Sequence, residues 1–515
     1  MSILPGMCGE IITELQSRGV RVGQGILHRK GGAGPAEAGF LLIGGIPVSV
    51  PVHGPYVSNS PYAVEKQKGQ DLLLNRGEVL FPVDFVPRPR FYDHSTGEGI
   101  PYPKIALLHG KDCLATSVDQ RCVYWPSRLR CRFCGIELSL KDGQTIARKT
   151  PEQLAEVAQK ARALDGVTHV VLTTGAAAGA GVEIKRLAAC AKAIKGASGL
   201  AVHAQFMPPE EEEDLRALKR AGVDTVGIHV ESFDLQVLER AAPAKAAIGL
   251  NRYKEAWKRS VEIFGTNQVS TFLLVGLGER SDSLLEGCEI LADLGVYPFL
   301  VPLRPIPGTL MEKALPPSPR MMTALYHEVA RILRRKGLSS ARSQAGCVRC
   351  GACSALPAFE GPADRLVCHP ARTAGELMTA YEIRRQVFVL EQGLFQDSDK
   401  DGEDRKSIHL VAEKDGEVVG TVRVFPSSSG NGHWIGGRLA VKGPFRACGA
   451  GELLVKDAVA CVKKRGCTSF TAHVQQENVP FFTQLGWRAI EPVRAYRGRP
   501  HQLMEANLDA PDPMN

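Results

Sequence analysis

The sequence predicts an α/β protein: a partial (β/α) barrel of about six units, followed by a second α/β domain with a mixed central sheet. Three observations carry this. Between about residues 105 and 336, apolar runs of strand length alternate with amphipathic, helix-length segments, the pattern of a parallel sheet with helices packed on it. Beyond about residue 370 the order changes to helix, hairpin, strand, glycine-rich turn and helix. The first hundred residues, rich in Pro and Gly and carrying the alternation IPVSVPV, read as short strands and turns. The expected organisation is an N-terminal extension over 1–100, a barrel over 101–340, a cysteine-bearing linker over 341–369 and a C-terminal domain over 370–510.

Composition bounds the rest. A chain of 515 residues is long enough for two or three domains with ample core. Its 44% hydrophobic and 23% charged content is that of an ordinary globular protein. The net charge of +8 permits an anionic small molecule or RNA without singling one out. Fourteen cysteines would suggest disulfides in a secreted chain, but MSILPGMCGEIITEL has no basic region followed by an apolar stretch, so a reducing cytosol, where thiolates serve metals, is expected. The stretch Phe40–Val64 lacks acidic and strongly basic residues, yet Pro47, Pro51, Pro55, Pro61 and Gly44-Gly45 interrupt it. No transmembrane segment is expected there.

The barrel strands are read in order as IALLHG, HVVLTT (169–174), GLAVHAQF (199–206), DTVGIHV (224–230), VSTFLLVGL (269–277) and VYPFLVPL (296–303). Helix-length segments such as PEQLAEVAQKARAL and SLLEGCEILADL separate them. Ligands gather at the C-terminal ends of strands in such sheets.

After the first strand comes DQRCVYWPSRLRCRFCGIE, with Cys122, Cys131 and Cys134. Three thiolates can hold a [4Fe-4S] cluster and leave one iron free for a small-molecule ligand such as S-adenosylmethionine (SAM). Cys113 rivals Cys122 as first ligand; a zinc knuckle or buried free thiols are the other readings. Thr174-Gly175 offers small groups that let backbone approach the methionine part of SAM. Glu231, beside His229 in GIHVES, has a carboxylate suited to ribose hydroxyls. Gly276, Gly278 and Glu279 offer backbone contacts to adenine. Taken singly, a histidine or glutamate at a strand end also reads as a satisfied structural group.

Residues 90–305 resemble the radical SAM superfamily in its biotin synthase-like branch, where an Asn-x-Asp pattern corresponds to His229-Val230-Glu231 and a later GLGE to Gly276–Glu279. RFYDHSTGEGIPY, TTG, GIHVESFD and VSTFLLVGLGE resemble more narrowly an uncharacterised radical SAM family whose genes tend to lie near nitrilases. The resemblance implies reductive cleavage of SAM to methionine and a 5′-deoxyadenosyl radical, a small-molecule substrate, and a reducing partner such as ferredoxin or flavodoxin. It also implies that Phe133, in CRFC, lies close to the adenine. This chain departs from the family in its long C-x8-C spacing and in His229.

A second group, Cys347, Cys350 and Cys353 in AGCVRCGACSA, with Cys368 further on, reads as ligands of a second iron–sulfur cluster or of zinc, with inert thiols the third reading.

In the C-terminal region, AGELMTAYEIRRQVFVLEQG reads as a helix and IHLVAEKDGEVVGTVRVF as a hairpin turning at Lys414-Asp415-Gly416. Arg446, Gly449 and Gly451 form R-x-x-G-x-G at a helix N-terminus, where exposed N–H groups suit a pyrophosphate. With RLAV before it and NVPFFTQLGW after it, this order resembles the GNAT acyltransferases over roughly residues 365–508. The resemblance implies acetyl-CoA, with Leu439–Val441 pairing to the pantetheine, the loop Arg446–Gly451 holding the pyrophosphate, and Asn478 before the last cofactor helix. The family's general-acid tyrosine falls at Phe482, which leaves Tyr496 or water as the acid. Glu391 and His473 are candidate bases and equally read as structural groups.

Three further signals have plain explanations. Asp397-x-Asp399-x-Asp401-Gly402 begins like a calcium loop, but Ile408 stands where the bidentate glutamate belongs, so a solvated loop is expected. Glu210–Asp214 is the acidic first turn that a helix dipole favours. Arg331, Arg334, Arg335 and Lys336 read as an exposed helix end. The whole is read as a bifunctional enzyme, a radical SAM domain fused to an N-acetyltransferase. A tRNA-modifying enzyme similar to the catalytic subunit of Elongator and a non-catalytic SAM- and CoA-binding scaffold are the alternatives; salt-dependent tRNA binding separates the first.

Overall fold

The structure, a computed structural model, describes residues 5–23, 29–34, 36–179, 181–361, 366–414, 417–428, 430–446 and 448–508. The chain forms two compact units, Met1–Gly361 and Pro362–Asn515.

The first unit opens with a helix, Pro5–Arg18, and two small antiparallel sheets. One holds β1 (Ala38–Ile43), β2 (Ile46–Pro51) and, later in the chain, β6 (Asp84–Phe85); the other holds β3 (Tyr62–Gln67), β4 (Gln70–Asn75) and β5 (Glu78–Pro82). The two-residue turn between Ile43 and Ile46 places Gly44 at φ 58° and Gly45 at φ 83°, the doubly left-handed turn that glycine accepts without a Cβ clash. The remaining strands are β7 (Leu107–His109), β8 (Cys113–Ser117), β9 (His169–Thr173), β10 (Ala201–Gln205), β11 (Thr225–Gly227), β12 (Val269–Val275) and β13 (Val296–Pro302). They form one curled half-barrel sheet in sequence order. From β8 to β13 neighbouring strands are parallel.

One strand differs from the expectation. The run IALLHG supplies an antiparallel edge strand, and the first parallel strand is the following CLATS segment. Gly110, at φ 63°, turns the chain there, so Cys113 lies in a strand directly opposite His109 and outside the cysteine loop.

Helices cover the sheet between strands. Pro151–Asp165 begins with a capping box in which Thr150 and Gln153 satisfy each other's backbone N–H. One apolar core unites the unit. It runs from Ile12 and Leu15 of the first helix, through β7–β13, to Val348, Ala355 and Leu356. The short helix Gly346–Cys350 lies against β9 and β10.

The second unit is a mixed sheet of β14 (Leu366–Pro370), β15 (Ile408–Lys414), β16 (Glu417–Pro426), β17 (His433–Val441), β18 (Ser469–Gln475), β19 (Trp487–Ala489), β20 (Arg494–Tyr496) and β21 (Arg499–Ala506). Its order is β14-β15-β16-β17-β18-β21-β19, with β20 on β21. Asp415 and Gly416, expected in the hairpin turn, lie outside the described residues. The pair β17–β18 is parallel and holds register from His433–Ser469 to Gly436–Ala472. The helix Ala374–Arg385 continues into a π turn, Gln386–Glu391, and Ala450–Lys463 packs against β16 and β17.

The aspartate-rich segment is not solvated as expected. Asp399 is 2% exposed and paired to Arg384 (2.7 Å); Asp404 pairs with Arg384 (2.6 Å) and Arg423 (2.7 Å). The carboxylates answer buried arginines, which leaves them unsuited to a cation. Among the described residues, no helix is long and apolar enough to cross a membrane.

Candidate functional site

A cavity of about 440 Å³ occupies the interior of the half-barrel. Cys122, Cys131 and Cys134 all line it, with Phe133 between the last two. Their loop is held from several sides. The Glu137 carboxylate accepts the Cys122 N–H (3.1 Å), Ala241 O accepts the Arg132 N–H (2.8 Å), and Gln120 Nε2 donates to Ile136 O (2.7 Å). Burial pushes the Cys131 thiol up to about 11 and Cys134 up to about 12, so a metal taken up here would displace protons. The three sulfurs therefore face one space, as a cluster with an open iron requires.

The strand ends bring the other residues together unevenly. Thr174 and Gly175 line the cavity, and a Cβ on Gly175 would stand 2.1 Å from Arg121 O, so only glycine lets this turn lie against the cysteine loop. His229 stacks on Phe272 (centroids 4.1 Å, 14°) and its Nδ1 accepts the Phe272 N–H (3.1 Å). That bond places the ring proton on Nε2, a buried atom without a partner at the cavity wall. Burial first, and Lys245 second, hold this imidazole well below its usual range. Glu231 adopts φ 76°, a conformation costly for a side chain with a Cβ and found where a site demands it.

Lys245, a residue that the sequence reading passed over, donates to Glu231 Oε1 (2.6 Å) and to His229 O (2.6 Å). Burial opposes its charge, but Glu231, together with Tyr253 and Cys131, outweighs burial and raises its pKa. Gly276, Gly278 and Glu279 are not among the residues lining the cavity. They close on themselves, since the Gly276 N–H donates to Glu279 Oε1 (3.0 Å). Their neighbour Leu277 joins Val237, Ala241 and Leu303 in an apolar cluster on which Phe133 packs.

The N-terminal extension contributes directly. Gly31, Gly32, Ala33 and Gly34 line the same cavity. The Gly31 N–H donates to Ser139 Oγ (2.8 Å), the Ala33 N–H donates to Ser117 Oγ (3.0 Å), and a Cβ on Gly31 would stand 1.9 Å from Gly135 O. KGGAG was the available sequence signal: clustered glycines mark close backbone approach.

Cys347, Cys350 and Cys353 also line this cavity. Cys113 shares a buried cluster with Cys350, on which Cys347 packs, and His109 presents Nδ1 to Cys350 Sγ (3.3 Å) and Nε2 to Cys353 Sγ (3.2 Å). Cys368 is engaged elsewhere. It belongs to β14 of the second unit, where it packs on that unit's core. Beside the three cysteines of 347–353 stand Cys113 and His109, and Cys368 is not among the residues lining this cavity. Cys113 is thereby grouped with this set, and Cys122 with Cys131 and Cys134.

In the second unit a cavity of about 240 Å³ lies where β17 and β18 part. Leu439, His473, Asn478, Phe482 and Tyr496 line it. Val441 lies at the end of β17, opposite Gly420. Gly449, at φ 85°, starts the helix that contains Gly451. Arg446 donates to Val441 O (3.2 Å) and pairs with Glu391. Glu391 is thus engaged in an ion pair and is not among the cavity-lining residues. Burial pushes the Tyr496 hydroxyl up, but Arg497 and Arg438 outweigh burial and hold it below the ordinary phenol range.

Comparison with known proteins agrees with this division. Residues 128–289 match the radical SAM superfamily and residues 376–487 match the acetyltransferase (GNAT) family. The bacteriochlorophyllide c C-7(1)-hydroxylase of Chlorobaculum limnaeum is 30% identical over 133 residues, 25% of this chain and 33% of the hydroxylase; the match thus spans a third of that relative's length. A Bacillus subtilis (strain 168) protein assigned as an acetyltransferase is 31% identical over 139 residues, 26% of this chain and 92% of that protein. The Escherichia coli ElaA crystal structure shares 21% identity, covering 28% of this chain and 99% of that one with a TM-score of 0.26. Both matched regions are enzyme domains: residues 128–289 match the radical SAM superfamily, and the chain belongs to the acetyltransferase (GNAT) family through residues 376–487.

Proposed function

We propose that the chain is a bifunctional enzyme: its first unit cleaves SAM reductively to begin radical chemistry on a small molecule, and its second transfers an acetyl group from acetyl-CoA to an amine. The observation that carries the reading is the convergence of Cys122, Cys131 and Cys134 with Thr174, Gly175, His229 and Glu231 on one cavity.

The donor set fits the groups implied. Three thiols without a fourth suit a cluster with one open iron, and the unpartnered His229 Nε2–H awaits an acceptor. Bound together, the cluster and SAM supply the reducing electron and the radical. The chain's own residues do the positioning. Gly175 admits the methionine moiety, and Glu231, fixed by Lys245, accepts from ribose hydroxyls. Phe133, Gly31–Gly34 and Phe272 wall off water.

In the second unit the parting of β17 from β18 frees backbone beside Leu439 for the pantetheine, and Gly449 and Gly451 expose N–H groups to the pyrophosphate. Tyr496 supplies the proton for the departing thiolate in place of Phe482, and His473 is the base nearest at hand in the cavity.

Electron paramagnetic resonance of the dithionite-reduced, air-free chain tests the first half. Addition of SAM should change the signal, because SAM takes the open iron; an unchanged signal would count against the assignment. Thiol release from acetyl-CoA across a panel of amines tests the second.

A further inference from the structure

We propose that Cys113, Cys347, Cys350 and Cys353 hold a second [4Fe-4S] cluster at the floor of the half-barrel, facing the first site across the shared cavity. This goes beyond the SAM reading and stands without it.

The placement follows from strand direction. Cys113 begins β8 and pairs with His169 at the start of β9, whereas Ser117 and Thr173 end those strands. The loop of Cys122–Cys134 leaves from the far end. The segment 346–353 closes the near end, where Thr225 Oγ1 donates to Ala345 O (3.3 Å). Four residue steps of about 3.3 Å put roughly 13 Å between floor and roof. A small substrate entering the cavity would lie between two metal sites.

The residues are built for a metal. Four sulfurs converge from two distant parts of the chain. A Cβ on Gly110 would stand 2.7 Å from Cys350 Sγ, so glycine there makes room for the sulfur. His109 addresses two different sulfurs with its two nitrogens, and Gln205 Nε2 donates to Cys347 Sγ (3.5 Å). Hydrogen bonds to sulfur are a lever by which proteins set cluster potentials. Cys190 and Cys288, by contrast, are single side chains in the apolar core.

The spacing favours a cluster over a lone zinc ion. Thiolates on one tetrahedral zinc stand about 3.8 Å apart at the ordinary Zn–S length. Among the described residues, the one set of three or more such ligands whose atoms all lie within 4.8 Å of one another is His369, Glu376 and Glu413, so the cysteines are spread more widely. Thiolates bound to separate irons of a cluster need that spread.

The test uses the full chain, reconstituted without air, with iron, acid-labile sulfide and zinc counted beside the Mössbauer spectrum. In the variant Cys122→Ala/Cys131→Ala/Cys134→Ala, about half of the wild-type iron and sulfide should remain. Adding Cys347→Ala, Cys350→Ala and Cys353→Ala should remove it. Cys113→Ser should alter the spectrum of that remainder, and Cys368→Ser should not. If the first variant fails to fold by circular dichroism, Cys347→Ala/Cys350→Ala in the otherwise unchanged chain should lower iron and sulfide by about half. An iron-free first variant that folds, zinc in place of iron and sulfide, a remainder indifferent to Cys347, Cys350 and Cys353, or a spectrum that answers to Cys368 instead of Cys113 overturns the inference. Failure of the first site shows differently, as a first variant with undiminished iron.

Discussion

Lys245 Nζ lies 2.6 Å from Glu231 Oε1, and both side chains are about nine-tenths buried. The pair joins the helix Pro243–Ile248 to the segment beyond β11, where Glu231 bridges Leu273 of β12. Removing one partner strands the other charge. Lys245→Ala should destabilise the first unit by about 3–5 kcal/mol in urea unfolding, and Lys245→Met combined with Glu231→Leu should recover most of that. Equal stability of Lys245→Ala and wild type would remove Glu231's anchor from the account.

Gly175 and Gly31 press backbone against backbone, at 2.1 Å and 1.9 Å for an added Cβ. Gly175→Ala and Gly31→Ala should each cost about 1–3 kcal/mol and lower the iron taken up by the first cysteine set. Gly196→Ala, in a helix with nothing within 4 Å of the new Cβ, should instead be stabilising by about 0.5–1 kcal/mol.

Arg384 is fully buried between Asp399 and Asp404. Arg384→Met should cost the second unit about 3–5 kcal/mol, read by its own unfolding transition. Arg384 and Arg423, overcoming burial, hold the Asp404 carboxyl below the ordinary range, and Arg423 does the same for Asp401. Carboxyls with depressed folded pKa values stabilise above the unfolded value of about 3.9 and lose that contribution as pH falls. Circular dichroism should show the second unit loosening below about pH 4.

Burial, reinforced by the charge on Arg29, brings Lys149 down to about 7. Its unfolded value is about 10.4, so between these limits the unfolded chain binds the extra proton and stability rises with pH. The slope from this one group reaches about 1.4 kcal/mol per pH unit. Unfolding curves from pH 7 to pH 9 should show the rise in wild type and a flatter line for Lys149→Met.

Tyr496→Phe should lower acetyl transfer by about 10²-fold with little change in acetyl-CoA affinity, since the hydroxyl acts on the leaving thiolate. Undiminished acetyl transfer in Tyr496→Phe would shift the acid role elsewhere.

Periodicity and turn chemistry made most strands legible, because HVVLTT or VSTFLLVGL has few other ways to bury its apolar residues. IALLHG failed as the first parallel strand because Gly110 hides a hairpin inside one apolar stretch. Cys122, Cys131, Cys134, Thr174, Gly175, His229 and Glu231 could be assembled from local spacing and from their places at strand ends. Lys245, His109 and Cys113 could not. Each reaches its partner only through tertiary folding, and nothing near Cys347 in sequence announces a thiol at position 113. The N-terminal glycines were passed over because their partner, Gly135, is a hundred residues away.

The central claim is that the first cysteine set supports SAM cleavage. The direct measurement is chromatographic detection of 5′-deoxyadenosine after the reconstituted, air-free chain is reduced with dithionite and given SAM. The account predicts release from wild type and from Cys113→Ala, and none from Cys122→Ala. A cluster-bearing wild type that yields no 5′-deoxyadenosine, or a Cys122→Ala variant that yields as much as wild type, would contradict it.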